Sequence, residues 1–377
     1  MTAQCREIAL RLPGAHQSRL PAMLYRPPSD RARGSVLVCP PLFEERKACQ
    51  RVLTDLSRAL AGEAHYWVLR FDYRGTGDAG GDFESFAPRD WLQDIHAAAA
   101  WLASHGEGLE QTWLGVRLGA WLATHAAAGA DTGAVPPRNL LLWEPVGAPT
   151  FVRQLMQRRM VNDMLAYGRA RASRTALHRT LDAGKPVALD GFTMTSEQSR
   201  HLGDDRFGAF AGPGMWLEAG NERRAGETLG SAAPNLVRRL LRVPPFWNSV
   251  GHVDTGAWIQ ATVAWLQDQE REEAPVGDID LEGEPREFQG ETLVTIDSSG
   301  QSLQGVWHAP AAPLPRGAVL FLGGWSGDRQ GPHRMFVQLA RGLARAGYAC
   351  LRFDYRGRGV SDGTVGEAGI ASMSDDA

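Results

Sequence analysis

The sequence predicts an α/β protein whose mostly parallel sheet is covered by helices on both faces. Short apolar runs bounded by Pro and Gly indicate strands, and they alternate with segments whose apolar residues recur at helical spacing. The strands are apolar throughout, as parallel strands buried on both faces usually are. The chain has 377 residues, which favours two domains or one large domain with an appendage.

The composition is that of a globular protein and excludes several classes. Hydrophobic residues make up 43% of the chain and charged residues 22%, so disordered, collagen-like and coiled-coil proteins are excluded. The net charge of −3 argues against a nucleic-acid partner. No apolar run is long enough to span a membrane, and no secretory signal is visible. Four cysteines without metal-binding spacing predict a reducing, cytoplasmic location, and we expect no metal and no cofactor.

The predicted strands and helices follow one another in a regular order. Residues 46–61 and 88–106 are predicted helices, because their apolar side chains recur at helical spacing. A short strand at 111–116 leads directly into an alanine-rich helix at 118–129. The remaining predicted elements are strands at 23–27, 35–41, 66–73, 139–146, 215–220 and around 241–250, and a last helix at 254–268.

An excursion at about 148–208 interrupts this alternation. An insertion of this length at one end of a sheet is usually a lid or cap. A helical hairpin with a solvated, arginine-rich face is the alternative. The arginines that suggest it are Arg153, Arg158, Arg159, Arg169, Arg171, Arg174 and Arg179.

The second part of the chain repeats the beginning of the first. Residues 20–41 align with residues 303–324, and the heptapeptide LRFDYRG occurs at 69–75 and again at 351–357. This self-similarity indicates a tandem duplication with a unit of about 280 residues. The second copy is incomplete, because the chain ends after about a third of that unit.

Three regions are therefore predicted. Residues 1–270 form a complete domain, residues 271–299 an acidic linker, and residues 300–377 the truncated N-terminal part of a second domain of the same fold. The last region supplies about four strands and one complete helix, which bury too little surface to be stable alone. We expect it either to be loosely ordered or to pack against the first domain.

A tight turn between a strand and a helix carries the chemistry in one large group of enzymes. The pattern is G-x-S-x-G, in which the glycines let the chain turn sharply and the central serine projects over the sheet as a nucleophile. Here the segment between the strand at 111–116 and the following helix is Gly115-Val116-Arg117-Leu118-Gly119. The central residue is arginine.

The chain resembles the α/β-hydrolase superfamily in its order of elements, in PPLFEE (40–45), in FDYRGTG (71–77) and in this elbow. More narrowly, the arginine elbow and Phe246-Trp247 resemble hydrolase-like proteins encoded in bacterial exosortase (PEP-CTERM, exopolysaccharide) loci. The second copy is similar to the start of a sister hydrolase from the same loci. The resemblance implies an α/β-hydrolase fold with a helical cap, acyl-ester or peptide-type hydrolysis as the family chemistry, and a protein partner from an envelope polysaccharide or sorting locus.

In an active member of the superfamily, serine, histidine and a carboxylate form the catalytic triad. Arginine cannot replace the serine, because its guanidinium stays protonated and offers no lone pair. The resemblance carries the histidine position over to His252 and the acid position to Glu218 or Glu222. A loop histidine without a role and solvated surface carboxylates are the alternatives.

The loop that would supply the oxyanion hole is Pro40–Glu45. Pro41 lacks a backbone N–H and is a poor oxyanion donor. Glu44 and Glu45 place carboxylates near the expected position of Arg117, so one alternative is an ion pair that fills the site. The other is that Arg117, at a helix N-terminus, binds an anionic group of a ligand.

These patterns support two functions. The first is a degenerate hydrolase, a pseudoenzyme that binds a small acyl or anionic ligand or a protein partner in exosortase-linked envelope metabolism. The alternative is an active esterase or thioesterase with an unconventional or relocated catalytic residue, such as a water oriented by His252 and a glutamate. Asp72 and Arg74 are predicted to brace the turn after the fourth strand, and Ser326 to lie in the oxyanion loop of the second copy rather than to act as a nucleophile.

Overall fold

The computed structural model describes residues 5–129, 136–219, 226–249, 251, 253–269, 271–276 and 286–377. The helices are α1 Glu44–Gly62, α2 Pro88–His105, α3 Leu118–Ala128, α4 Ala148–Tyr167, α5 Arg174–Asp182, α6 Ser196–His201, α7 Gly226–Ala232, α8 Gly256–Gln267, α9 Met335–Arg345 and α10 Ile370–Asp376. The strands of the first part are β1 Arg6–Pro13, β2 Arg19–Arg26, β3 Arg31–Ala32, β4 Gly34–Cys39, β5 Tyr66–Phe71, β6 Gln111–Val116, β7 Asn139–Trp143, β8 Val187–Leu189, β9 Phe192–Met194, β10 Gly214–Glu218 and β11 Leu236–Leu240. Those that follow are β12 Ala274–Pro275, β13 Glu287–Phe288, β14 Glu291–Ser298, β15 Gln301–His308, β16 Ala318–Phe321 and β17 Ala349–Phe353.

The main sheet has the strand order β1-β2-β5-β4-β6-β7-β10-β11. Strand β2 runs antiparallel to both β1 and β5, and from β5 to β11 neighbouring strands are parallel. Alternate side chains of the buried strands enter two cores: Leu37 packs with α2 and α3, whereas Val36 and Val38 pack with α1 and α8. The predicted α/β class, with helices on both faces of a mainly parallel sheet, is confirmed.

One predicted strand lies elsewhere. The last strand of the main sheet is β11, at Leu236–Leu240, and residues 241–245 that were predicted to form it are irregular. Pro244 and Pro245 lack backbone donors and cannot continue a sheet ladder, and a single 3₁₀ turn follows at Phe246–Asn248. The strand at 236–240 has no continuous apolar run, because it lies at the sheet edge with exposed positions.

The excursion at 148–208 contains helices α4, α5 and α6 and the hairpin β8–β9. Its apolar residues, among them Phe151, Leu155 and Leu177, join the core on the α2 and α3 face. Its arginines are not all solvated: Arg158 and Arg159 form ion pairs with carboxylates. Among the described residues, no helix is long and apolar enough to cross a membrane.

A second sheet has the order β13-β14-β15-β17-β16. Strand β14 pairs antiparallel with β15, β15 antiparallel with β17, and β17 parallel with β16, which are the directions of β1, β2, β5 and β4. Side-chain contacts repeat as well. The Nε of Arg74 donates to Asp94 at 2.7 Å, and the Nε of Arg356 donates to Asp376 at 2.9 Å.

The predicted linker at 271–299 contains part of this sheet. Residues 291–298 are strand β14, which pairs with β15 along its whole length. The acidic composition suggested a linker, but Thr292, Val294 and Ile296 are β-branched residues that favour a strand. Residues 277–285 of the predicted linker lie outside the described residues.

The second unit, residues 286–377, packs against the loop that follows β5 in the first unit. Asp78 in this loop is fully buried, and its two carboxylate oxygens lie 2.9 Å from Nε of Arg329 and 2.9 Å from Nη1 of Arg352. Arg334 donates to the backbone oxygens of Gly75, Gly77, Gly81 and Ala79 in the same loop. Of the two expectations for residues 300–377, packing against the first unit is the one observed.

Candidate functional site

The turn between β6 and α3 has the geometry of a nucleophile elbow. Its central residue, Arg117, has φ 56° and ψ −122°, a strained conformation for a residue with a side chain. A Cβ at Gly115 would lie 2.5 Å from Cα of Ala120, and one at Gly119 would lie 2.3 Å from the backbone oxygen of Cys39. Both flanking positions therefore require glycine.

The side chain of Arg117 is buried at the centre of this turn. It is 3% exposed, and its Nε lies 3.1 Å from Oε2 of Glu45. Its Nη2 lies 3.4 Å from Oε1 of the same carboxylate, and the guanidinium stands 4.8 Å from the ring centroid of Trp247. The positive charge of Arg117 is thus paired from one side and covered by an aromatic face on another.

Glu45 is shared between Arg117 and an arginine of the excursion. Its Oε1 accepts a hydrogen bond of 2.8 Å from Nη1 of Arg158, and Arg158 pairs at 2.8 Å with Asp190 in the turn between β8 and β9. Glu45 is 1% exposed. Burial raises the pKa of Asp190, and Arg158 opposes that rise. The four side chains form a charge-balanced chain, the elbow network, which joins the elbow to α1, α4 and the β8–β9 turn.

Glu44, the other glutamate expected near Arg117, faces the second unit instead. Its Oε2 lies 3.2 Å from Nδ1 of His333, and its Oε1 lies 3.7 Å from Nζ of Lys47. Burial acts to raise the pKa of Glu44, but the contact with His333 outweighs it and leaves that pKa below its usual value. The hydrogen bond to Glu44 raises the pKa of His333.

Of the residues assigned to the triad, the structure describes Glu218 alone. Glu218 ends β10, is 5% exposed and accepts a hydrogen bond of 2.7 Å from Nε of Arg238 on the neighbouring strand. It is a buried, paired carboxylate, and the expectation of a solvated surface charge is wrong for it, because β11 places Arg238 beside it. Glu222 and His252 lie outside the described residues.

One serine with the elbow spacing is not among the candidate residues identified from the sequence. Residues 359–363 read GVSDG and match G-x-S-x-G, but they lie in the loop after β17 rather than between a strand and a helix. The hydroxyl of Ser361 is fully buried, donates to the backbone oxygen of Asp354 at 2.6 Å and accepts from the backbone N of Gln304 at 2.9 Å. With both bonds made inside the fold, Ser361 is a structural residue.

A cavity of about 460 Å³ lies beside the elbow network, between the two units. Glu45, Arg158 and Trp247 connect it to the elbow. The second unit contributes Ser326, Asp328, His333 and Arg358 to its lining. The sequence does not predict this cavity, because the cavity forms where the second unit docks on the first. In the described part of the chain, no group of His, Cys, Asp or Glu side chains is placed to hold a metal ion.

A mainly parallel sheet of this order, with a strained elbow between β6 and α3, defines an α/β-hydrolase fold. In this chain the fold carries arginine where the superfamily's nucleophile stands.

No family model matches the chain. Lysophosphatidylserine lipase ABHD12 of Danio rerio is 38% identical over 72 residues, which are 19% of this chain and 18% of that protein. The Macaca fascicularis protein of the same name matches with the same figures. The match thus spans less than a fifth of these relatives' length.

Solved structures similar to the chain include an α/β serine hydrolase without lid from Xanthomonas campestris, 17% identical, with a TM-score of 0.42 over 70% of this chain and 92% of that one. An esterase of Pyrococcus furiosus is 12% identical, with a TM-score of 0.45 over 70% of this chain and 91% of that one. The strand order and the elbow conformation, rather than these similarities, carry the assignment of the fold.

Proposed function

We propose that this protein is a hydrolase-fold pseudoenzyme that binds a small anionic ligand or a protein partner instead of hydrolysing acyl esters or peptides. One observation carries the proposal: the elbow residue is Arg117, and its guanidinium is buried and paired with Glu45. A protonated guanidinium has no lone pair with which to attack an acyl carbon. The elbow therefore lacks the group that starts the family's reaction.

The elbow network also makes Arg117 a poor site for an exogenous anion. Glu45 already supplies a carboxylate to both Arg117 and Arg158, and Asp190 supplies a second one to Arg158. A ligand anion at Arg117 would have to displace Glu45 from it or bring a second negative charge beside this buried carboxylate, and both are unfavourable. These contacts support the ion pair over the anion-binding alternative for Arg117, and we propose that the binding role lies elsewhere in the molecule.

We further propose that residues 300–377 correspond to the N-terminal part of a second α/β-hydrolase domain. The repeat of LRFDYRG and the matching strand order of the two sheets support this. The resemblance to proteins of exosortase loci supports a role in envelope polysaccharide or protein-sorting metabolism. We also propose a cytoplasmic location, which the free cysteines among the described residues support.

One observation favours the alternative function, an esterase or thioesterase with a relocated nucleophile. The contact between Glu44 and Nδ1 of His333 is the arrangement of an orienting carboxylate and a general base. Ser326 lines the same cavity as both residues. In this alternative Ser326 would be the nucleophile and the second unit would complete the active site.

The Arg117→Ser variant tests the proposal. It restores the elbow serine but leaves Glu45 facing Arg158, so we expect hydrolysis of p-nitrophenyl acetate to stay at the buffer rate for both the wild type and the variant. The Ser326→Ala variant is the matched control for the alternative. Wild-type hydrolysis that Ser326→Ala abolishes would overturn the proposal and establish the relocated nucleophile.

A further inference from the structure

Arg358 is a buried cation that has no counter-charge among the residues the structure describes. It lies in the loop after β17 and is 8% exposed. Across the described residues, its guanidinium forms no ion pair with a carboxylate and no hydrogen bond, and its Nε is buried without a partner. Its near neighbours are the ring of Trp325, 5.5 Å away, and a second cation, Arg51.

This contrasts with other buried arginines of the same interface. Arg329 and Arg352 both pair with Asp78, and Arg334 donates to four backbone oxygens. A buried charge without a partner is strongly unfavourable, so an anion from outside the protein that pairs with it would stabilise it. Burial and the charge of Arg51 together lower the pKa of Arg358 from its usual range, which reflects the same missing counter-charge.

Arg358 lines the cavity between the two units, as does Asp328. Asp328 is 6% exposed, and its Oδ2 has no hydrogen-bond partner. Burial and the neighbouring Asp354 raise the pKa of Asp328 to about 6. The cavity thus presents one unpaired cation and one unpaired carboxyl oxygen.

The other charged groups in the cavity wall are neutralised by one another. Arg51 pairs with Asp55 at 2.7 Å, and Glu44 contacts Lys47 and His333. Glu45 and Asp190 pair with Arg158. Arg159 pairs with Asp163 at 3.5 Å. A ligand therefore meets Arg358 as the available positive charge in this wall, within a volume typical of small-molecule sites.

We propose that the cavity between the two units binds a small anionic molecule, whose phosphate or carboxylate group pairs with Arg358 and whose hydroxyl or amino group donates to Asp328. The proposal names the class of ligand for the binding role given under the proposed function, and it rests on that function. The site is distinct from the elbow, and it requires the second unit, because both residues belong to residues 286–377.

Isothermal titration of the full chain tests the proposal with four probes: inorganic phosphate, glycerol 3-phosphate, acetate and glycerol. We expect saturable binding of phosphate or acetate at one site per chain, tighter binding of glycerol 3-phosphate than of phosphate, and no binding of glycerol. The two anions identify which acid group the site prefers. Absence of saturable binding by all three anionic probes would overturn the proposal.

The Arg358→Met variant keeps the apolar length of the side chain and removes the charge. Loss of a charge-assisted hydrogen bond predicts that the anion that binds does so about 10- to 100-fold more weakly. The matched control is Arg206→Gln, because Arg206 is 84% exposed in its side chain and lies outside the cavity. Unchanged affinity in Arg358→Met would contradict the proposal.

Two further readouts separate a ligand-binding arginine from a structural one. Without ligand, Arg358→Met should melt at the same temperature as the wild type or higher, since the variant loses an unpaired buried charge. Asp328→Ala should abolish the preference for glycerol 3-phosphate over phosphate. A fall in the melting temperature of Arg358→Met would assign Arg358 a structural role. Ester hydrolysis with intact anion binding would refute the pseudoenzyme proposal and leave this site standing.

Discussion

Replacement of Asp78 by alanine should release the second unit from the first. Asp78 is fully buried and pairs with Arg329 and Arg352, both of which belong to the second unit. In Asp78→Ala, Arg329 keeps Asp354, but Arg352 keeps only His308 and a backbone oxygen as partners. Removal of one partner from a buried ion pair typically costs about 3–5 kcal/mol.

That cost is large compared with the stability of the second unit. Residues 286–377 form a five-stranded sheet with little core of its own: the described clusters centre on Leu303, Phe353 and Tyr355 in one and Phe321, Ala340 and Cys350 in the other. A unit this small is marginally stable by itself. Loss of docking should therefore expose its strands rather than leave a folded, free domain.

Hydrogen exchange measured by mass spectrometry is the assay. In Asp78→Ala, amides of β15 and β17 should exchange faster by about 100-fold or more, as expected for a loss of about 3 kcal/mol, while amides of β6 and β7 stay protected. Asp82→Asn is the matched control, because Asp82 is exposed in the same loop. Equal protection of β17 in Asp78→Ala and the wild type would refute the view that this buried carboxylate holds the two units together.

Three further perturbations test other parts of the structure. Glu45→Gln leaves the buried guanidinium of Arg117 without its carboxylate and should lower the free energy of unfolding by about 3–5 kcal/mol in urea denaturation. Glu44→Gln, at the half-buried neighbour, should cost less than about 1 kcal/mol. Arg334→Gln removes donors to four backbone oxygens and should make residues 286–377 sensitive to limited proteolysis. Arg345→Gln, which changes an exposed residue of α9, is the control, and equal sensitivity in this variant would argue that Arg334 does not hold the two units together. Burial and Arg352 lower the pKa of His308 to about 4, so the folded state binds this proton at a lower pH than the unfolded state does. The free energy of unfolding should therefore fall by about 3 kcal/mol between pH 6.5 and pH 4. His308→Gln should flatten that decrease in pH-dependent melting, and an unchanged profile would show that His308 does not cause it.

Much of the first unit's fold follows from local sequence. The strand at 111–116 was predicted with the observed bounds, because its apolar residues are followed by glycine at the elbow. The edge strand β11 was misplaced, since residues 236–240 read LVRRL and lack the apolar run of a buried strand. Strand β14 was assigned to a linker, because the acidic residues around it hid its β-branched positions.

Only part of the candidate site could be predicted from the sequence. Glycine spacing identifies the elbow arginine, and the resemblance of the loop at Pro40–Glu45 to that of the family places Glu44 and Glu45 near it. The Arg117–Glu45 pair is one of the alternatives that follow from this placement. Arg158 could not be placed there, because helix packing rather than sequence spacing brings the excursion to Glu45. The cavity depends on how the second unit docks on the first. The sequence around Arg358 contains no local pattern that predicts burial of its guanidinium beside α1.

We propose that this hydrolase fold has no activated serine. The intact mass of the protein after treatment with a reactive fluorophosphonate tests this proposal, because the reagent labels activated serines regardless of their natural substrate. We expect no adduct on the wild type. A stoichiometric adduct would contradict it, and the position of the labelled serine would show where the nucleophile stands.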